Sequence, residues 1–291
     1  MSIQSDYEDY KHLQNQISSK KTSKFWFKQE SRYVEPFQIY GNLYYVGDSW
    51  VCVHIVDTGD GLLMFDAGNC GAEAMLIYSI WKLGFDPADV KWIILSHGHV
   101  DHFGAVNFFK RMFGTKIYMG EPDAKMLREQ PYLSVIHESG NCTNELFDVD
   151  YEIRDGEKLR FGNTEIKFYL VPGHTMGCIA CFFDISDQQG TKRVGYYGGF
   201  GFNTLQRDFL MEIGDTSFEM RKLYLQSLKK VCDESVDIFM GNHTSNVDLL
   251  EKRKVMLENP NNNPFIDGSA WKNYLDAKYH ELVELINSEV E

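Results

Sequence analysis

Ser96-His97-Gly98-His99-Val100-Asp101-His102 decides the reading of this chain. It offers four candidate metal ligands: His97, His99, Asp101 and His102. Imidazole nitrogen and carboxylate oxygen are the usual donors to zinc and its first-row neighbours. The apolar run Val90-Lys91-Trp92-Ile93-Ile94-Leu95 precedes it and has the length of a strand. Gly104, Ala105 and an apolar, helix-like segment follow. The donors therefore sit where a buried strand ends and a helix begins, the usual ligand position in open α/β sheets.

Upstream, the pattern is β. Phe37-Gln38-Ile39 and Leu43-Tyr44-Tyr45-Val46 flank a Tyr40-Gly41-Asn42 turn. Trp50 to Val56 and Leu62 to Phe65 read as two more strands, joined by Thr58-Gly59-Asp60-Gly61. The second of these ends at Asp66-Ala67-Gly68-Asn69. Asp66 there either orients a ligand histidine or caps a turn. Helices are expected over 72–83 and 122–128, with a strand over 116–119. Such β/α alternation layers helices on a sheet. In the N-terminal arm, Tyr7, Tyr10, Leu13 and Ile17 predict a helix over 5–19.

Downstream, 129–147 lacks periodicity and is a candidate lid. Strands follow at Val149 to Ile153, Leu159 to Phe161 and Thr164 to Val171. The last runs into Pro172-Gly173-His174-Thr175-Met176-Gly177. Cys178 to Ile185 and Arg193 to Tyr197 are further strands, and the latter enters the glycine-rich Gly198 to Asn203. That loop carries no phosphate-binding signature. Thr216 and Glu219 have the spacing of a capping box for a helix running to Val231. Val236 to Met240 ends at Gly241-Asn242-His243, and helices are expected over 249–257 and 271–286. Three strand ends thus carry histidines. Pooled with Asp101 they make six donors, enough for two four-coordinate ions whose shells water or hydroxide completes. The natural division is His97, His99 and His174 on one ion, and Asp101, His102 and His243 on the other. His12, His54, His137 and His280 are left as structural or surface residues.

A net charge of −13 disfavours nucleic acid as a partner. No apolar run is long enough to span a membrane. Met1 to Lys21 is polar and has no apolar signal region, which predicts a cytoplasmic protein. Cys178 and Cys181 form a CxxC within an apolar strand, where residues three apart face opposite sides, so both read as small core residues.

The His97-x-His99-x-Asp101-His102 motif, the Asp66-Ala67-Gly68 turn and the Pro172-Gly173-His174-Thr175-x-Gly177 loop resemble the metallo-β-lactamase superfamily. The resemblance runs from about residue 35 to 250. It implies an α/β fold, a four-layer αβ/βα sandwich of two mixed sheets flanked by helices. It divides the chain into an N-terminal helical arm (1–34), a metallo-β-lactamase-like domain (35–258) and a C-terminal helical extension (259–291) packed on that domain. It also implies two zinc ions on the six donors, and hydrolysis by a hydroxide between them. Asp101 and His243 would stand nearest the chemistry, and Asp66 and Thr175 would support the ligands. Trp50, Phe200 and Phe202 are candidates for the substrate pocket.

Within the superfamily the chain is most similar to the β-lactamase subclass with His-His-His and Asp-His-His sites. Residues 34–39 and 42–47 also resemble that subclass's opening strands. At Gly198-Gly199-Phe200 it lacks the bridging Asp of glyoxalase II-like hydrolases, lactonases and RNase Z-type nucleases, and the Cys ligand of other β-lactamases. It departs from the subclass in having Gly and Phe there instead of serines. The expectation is hydrolysis of an amide or ester, β-lactam-like bond. The alternative is a cytoplasmic lactonase or thioesterase, with a nuclease or a non-catalytic zinc module ranked lower. A histidine at position 99, where a flavodiiron protein would want a carboxylate, favours zinc over iron.

Overall fold

A strand buried on both faces needs a layer above it and a layer below. Leu62–Phe65 and Ile238–Gly241 are both buried at every position. Each belongs to a different sheet in the computed structural model, which describes residues 29–136 and 146–289.

The first sheet takes its seven strands in chain order. They are β1 (Phe37–Tyr40), β2 (Leu43–Tyr45), β3 (His54–Asp57), β4 (Leu62–Phe65), β5 (Val90–Ile94), β6 (Lys116–Gly120) and β7 (Tyr151–Ile153). β1 to β4 pair antiparallel, and β4 to β7 pair parallel. Parallel neighbours need crossovers. These carry α1 (Glu73–Lys82), α2 (Val100–Phe103), α3 (Val106–Phe113) and α4 (Glu121–Glu129). The second sheet holds β8 (Lys158–Phe161), β9 (Thr164–Leu170), β10 (Ile179–Asp187) and β11 (Gly190–Tyr197), with β12 (Ile238–Gly241) parallel to β11 at the edge. α5 (Arg207–Glu212) and α6 (Glu219–Val231) cross to β12, and α7 (Leu249–Glu258) and α8 (Ala270–Ser288) follow it.

Strand alternation joins the layers. On β10, Phe183 stacks on Phe65 of the other sheet, with ring centroids 5.4 Å apart and planes 8° apart. Its neighbour Phe182 faces the opposite way and meets Trp271 of α8 at 5.2 Å. Trp271 also donates its indole N–H to the Val231 carbonyl at 2.9 Å, tying α8 to α6. Across the first sheet, Leu76 and Ile80 of α1 and Phe109 of α3 share a buried cluster with Ile55, Met64 and Ile93. The order is helix, sheet, sheet, helix, the four-layer sandwich of two mixed sheets that the sequence led us to expect.

Local chemistry moves several boundaries. The strand expected from Trp50 begins only at His54. The Asp48 carboxylate accepts the N–H groups of Trp50 and Val51, both at 2.7 Å, and takes them from any ladder. α6 is capped by Asp215 and not by Thr216. The Asp215 carboxylate accepts the Glu219 and Met220 N–H groups, both at 2.9 Å, after Phe218 turns with φ 53°. The helix after the histidine motif starts at Val100, inside it, and breaks at Gly104. A Cβ at Gly104 would lie 2.1 Å from the Asn69 carbonyl carbon, so only glycine lets the turn after Asp66 dock there. The expected 5–19 helix and residues 137–145 of the candidate lid lie outside the described residues. No helix among the described residues is long and apolar enough to cross a membrane.

Candidate metal centre

β5 ends at Ile94, and the chain bends at Ser96 to Gly98 before His99 (φ −89°, ψ 147°) precedes α2. The bend brings the two histidine rings together. His97 Nε2 and His99 Nδ1 are 3.0 Å apart. The loop after β9 brings the His174 ring to within 4.8 Å of His97 and 4.6 Å of His99, centroid to centroid. Asp101 and His102 fall in the single turn of α2, and β12 delivers His243 opposite them. His102 Nε2 and His243 Nε2 are 3.3 Å apart, and Asp101 Oδ2 lies 3.4 and 3.5 Å from them. Within each triad the donor atoms all lie within 4.8 Å of one another. The triads abut, with the His97 and His102 rings 4.4 Å apart.

A ligating histidine is aimed by the bond its other nitrogen makes. His97 Nδ1 meets the Ser96 hydroxyl at 2.9 Å. His174 Nδ1 donates to the Gly201 carbonyl at 2.7 Å, with the Thr204 hydroxyl at 3.2 Å. His243 Nδ1 donates to the Trp50 carbonyl at 3.2 Å. His102 Nδ1 donates to Asp66 Oδ2 at 2.8 Å, and the Tyr196 hydroxyl donates to the same oxygen at 2.7 Å. Asp66 also accepts the Ser96 N–H at 2.7 Å, from a backbone held at φ 60°. A positive φ in a non-glycine residue persists only where its surroundings fix it, and here three donors do.

Thr175 does not touch the His174 ring nitrogen. Its hydroxyl donates to Asp123 at 2.6 Å. Asp123 also accepts the N–H groups of Gly98 and Gly177, each at 2.7 Å, so it ties the His97–His99 loop to the His174 loop. Gly198 and Gly199 complete the frame by close approach. A Cβ at Gly198 would lie 2.4 Å from Ser96 Cβ, and one at Gly199 would lie 2.4 Å from Cys178 Sγ and 2.9 Å from the His174 ring.

Burial, reinforced by the neighbouring imidazoles, pushes His97 and His99 well below the ordinary histidine range. Burial likewise takes His174 down to about 4 and lowers His243. These rings are neutral, the form that binds a metal. His102 goes the other way. Burial opposes its charge, yet Asp101 and Asp66 on either side lift it to about 10. For Asp101, burial is outweighed by the imidazoles, His102 first, which hold it well below the carboxylate range. The second triad is thus built around positive charge, which a bound divalent ion would supply in place of a proton on His102. Five imidazoles and one carboxylate fit zinc or a first-row neighbour, and each triad leaves a coordination position for water or substrate.

The cluster opens on two cavities. One, of about 520 Å³, is lined by Trp50, Phe200 and Phe202 together with His97, Asp101 and His243. Trp50 lies 5.6 Å from the His243 ring. Phe200 is 3% exposed and stacks on Tyr197 at 4.3 Å, so most of it belongs to the core. The other cavity, of about 360 Å³, touches His99 and His174 and is walled by apolar residues. His54 is buried in the core and lines neither. Sequence reasoning missed Ser96, Asp123, Tyr196 and Thr204. Ser96 had a signal, its place directly before His97.

The family model "Metallo-beta-lactamase superfamily" matches residues 50–187. An uncharacterized protein of Aquifex aeolicus is 31% identical over 114 residues, 39% of this chain and 51% of that one. Hydroxyacylglutathione hydrolase GloC of Haemophilus influenzae is 28% identical over 151 residues, 52% of this chain and 68% of that one. The chain spans about half or less of the first curated relatives it matches. Among solved structures, the native FEZ-1 metallo-beta-lactamase of Legionella gormanii superposes with a TM-score of 0.76 at 28% identity, covering 89% of this chain and 98% of that one. In the residues the family model matches, in the sandwich and in the two histidine-rich triads at its edge, the chain is similar to the metallo-beta-lactamase superfamily.

Proposed function

We propose that the protein is a dinuclear zinc hydrolase that cleaves an amide or ester bond of a small molecule, of the β-lactam kind. The observation that carries this is the pair of abutting donor triads facing one open cavity. When bound, two zinc ions supply water activated near neutral pH and a Lewis acid for the substrate carbonyl. His97, His99 and His174 would hold one ion; Asp101, His102 and His243 would hold the other. Asp101 stays ionised among its imidazole neighbours, so besides ligating it accepts a hydrogen bond from the attacking water and orients it. His243 stands opposite, aimed by the Trp50 carbonyl. Asp66 acts through His102, whose ring it fixes. Trp50 and Phe202 form the apolar part of the wall and keep bulk water from the reacting carbonyl.

Two observations support a lactamase-like site. One is the likeness to FEZ-1 over most of both chains. The other is the Gly198–Gly199 backbone, packed so closely on Ser96, Cys178 and His174 that no bridging carboxylate or thiolate side chain fits. The likeness to GloC favours a second reading, an ester or thioester hydrolase of the same fold. Metal analysis with a substrate panel separates them. The expected result is two zinc ions per chain and nitrocefin turnover that chelation abolishes and zinc restores. Thioester turnover with inert nitrocefin selects the second reading. A zinc-replete protein inert on every amide, ester and thioester overturns both.

A further inference from the structure

The two cavities at the cluster differ in character, and His99 and His174 line both. The smaller is walled by Met126, Leu133, Met176, Phe209, Ile213 and Met220. Methionine side chains adapt to the shape of a flexible apolar guest. The charged Lys125 and Glu129 on this cavity are more than half exposed and pair with each other, so they sit at its mouth.

The larger cavity carries a cation that comes from α8. Lys278 is the one lysine or arginine on its lining among the described residues. Its ammonium lies 5.3 Å from the Phe202 ring and 5.4 Å from Tyr274, and the side chain is only 20% exposed. Glu281 accepts from it at 2.6 Å but is itself about half exposed. Such a pair is weakly held and leaves ammonium donors over. Ser245 and Asn246 lie on the same lining. On a chain of net charge −13, whose field repels anions, a lysine held at this place is the exception.

We infer that the substrate is an amphiphilic acyl compound, with an apolar chain in the methionine-lined cavity and a carboxylate set against Lys278. This rests on the hydrolase reading and names its substrate class. The test is calorimetric binding of three ligands to the zinc-loaded protein: N-octanoylglycine, N-octanoylglycinamide and N-acetylglycine. N-octanoylglycine should bind at least about tenfold more tightly than either of the others. Lys278→Met keeps an unbranched apolar side chain and removes the ammonium, so an unchanged thermal melt is expected. It should lower N-octanoylglycine to the affinity of the amide and leave the amide unchanged; Lys278→Arg should retain the preference. Equal affinity for acid and amide, a preference that survives Lys278→Met, or no gain from acetyl to octanoyl overturns the inference. Binding needs no turnover. A protein that binds in this order and hydrolyses nothing loses the hydrolase reading alone. One that turns over nitrocefin without these preferences loses the inference alone.

Discussion

Two buried carboxylates stand behind the two triads, and they act on different things. Asp66 bonds a candidate ligand ring directly, at His102. Asp123 bonds the backbone of Gly98 and Gly177 and the hydroxyl of Thr175, the residues that flank His97, His99 and His174. Burial pushes Asp123 up to about 6, against the pull of those three bonds. The first triad is therefore three neutral imidazoles placed by backbone geometry. The second is a carboxylate and two imidazoles placed and tuned by charge. Asp123 should govern stability and shape, and Asp66 should govern metal affinity.

The largest effect is expected from His99→Ala, which removes a donor from the first triad only. Zinc content should fall from two ions to one, and turnover should drop on the order of a thousandfold. Full zinc with full turnover would break the division into triads. Next comes Asp123→Ala, which strands three buried donors. It should cost roughly 3–9 kcal/mol in urea unfolding, since each unmet donor costs about 1–3 kcal/mol, while the second triad's ion binds as before. Asp66→Asn should do the reverse. It keeps the shape and removes the charge behind His102, so affinity for one ion should fall about 10–100-fold by competition with a chelator, with a smaller loss of stability. If Asp66→Asn proved the more destabilising and left metal binding intact, the contrast between the two carboxylates would fail.

Legibility in the sequence followed contact distance along the chain. His97, His99, Asp101 and His102 are neighbours, and an apolar strand announces them. His174 and His243 each close a strand in a glycine-flanked loop, so the candidate donors could be read without a structure. The supports could not. Asp123 looks like an ordinary first-turn acid of α4, a placement the helix dipole favours by itself. Its partners are 25 and 54 residues away. Tyr196 reaches Asp66 across 130 residues, from one sheet to the other. Thr175 adjoins His174 in sequence, but its hydroxyl goes to Asp123, and the hydroxyl beside the His174 ring belongs to Thr204. Lys278 sits on an amphipathic helix, where a lysine reads as a solvated charge. The fold was legible because alternation on strands such as β10 is a local signal. The capping of α6 was not, because Thr216 and Glu219 have the right spacing and Asp215 simply makes the better bonds.

Ser96→Ala should give the smallest effect and is the finest test of the contrast. The Ser96 hydroxyl meets His97 Nδ1 at 2.9 Å, a bond between neutral groups. Such bonds contribute about 1 kcal/mol net, a few-fold in affinity, whereas a charged partner contributes roughly twice that. The substitution leaves the Ser96 N–H on Asp66, so the loop keeps its path and the second triad its carboxylate. Affinity for the first ion should therefore fall only a few-fold, and affinity for the second should not move. If removing this neutral hydroxyl weakened metal binding as much as removing the Asp66 charge, charge would not be what separates the triads. Backbone geometry would then have to account for both.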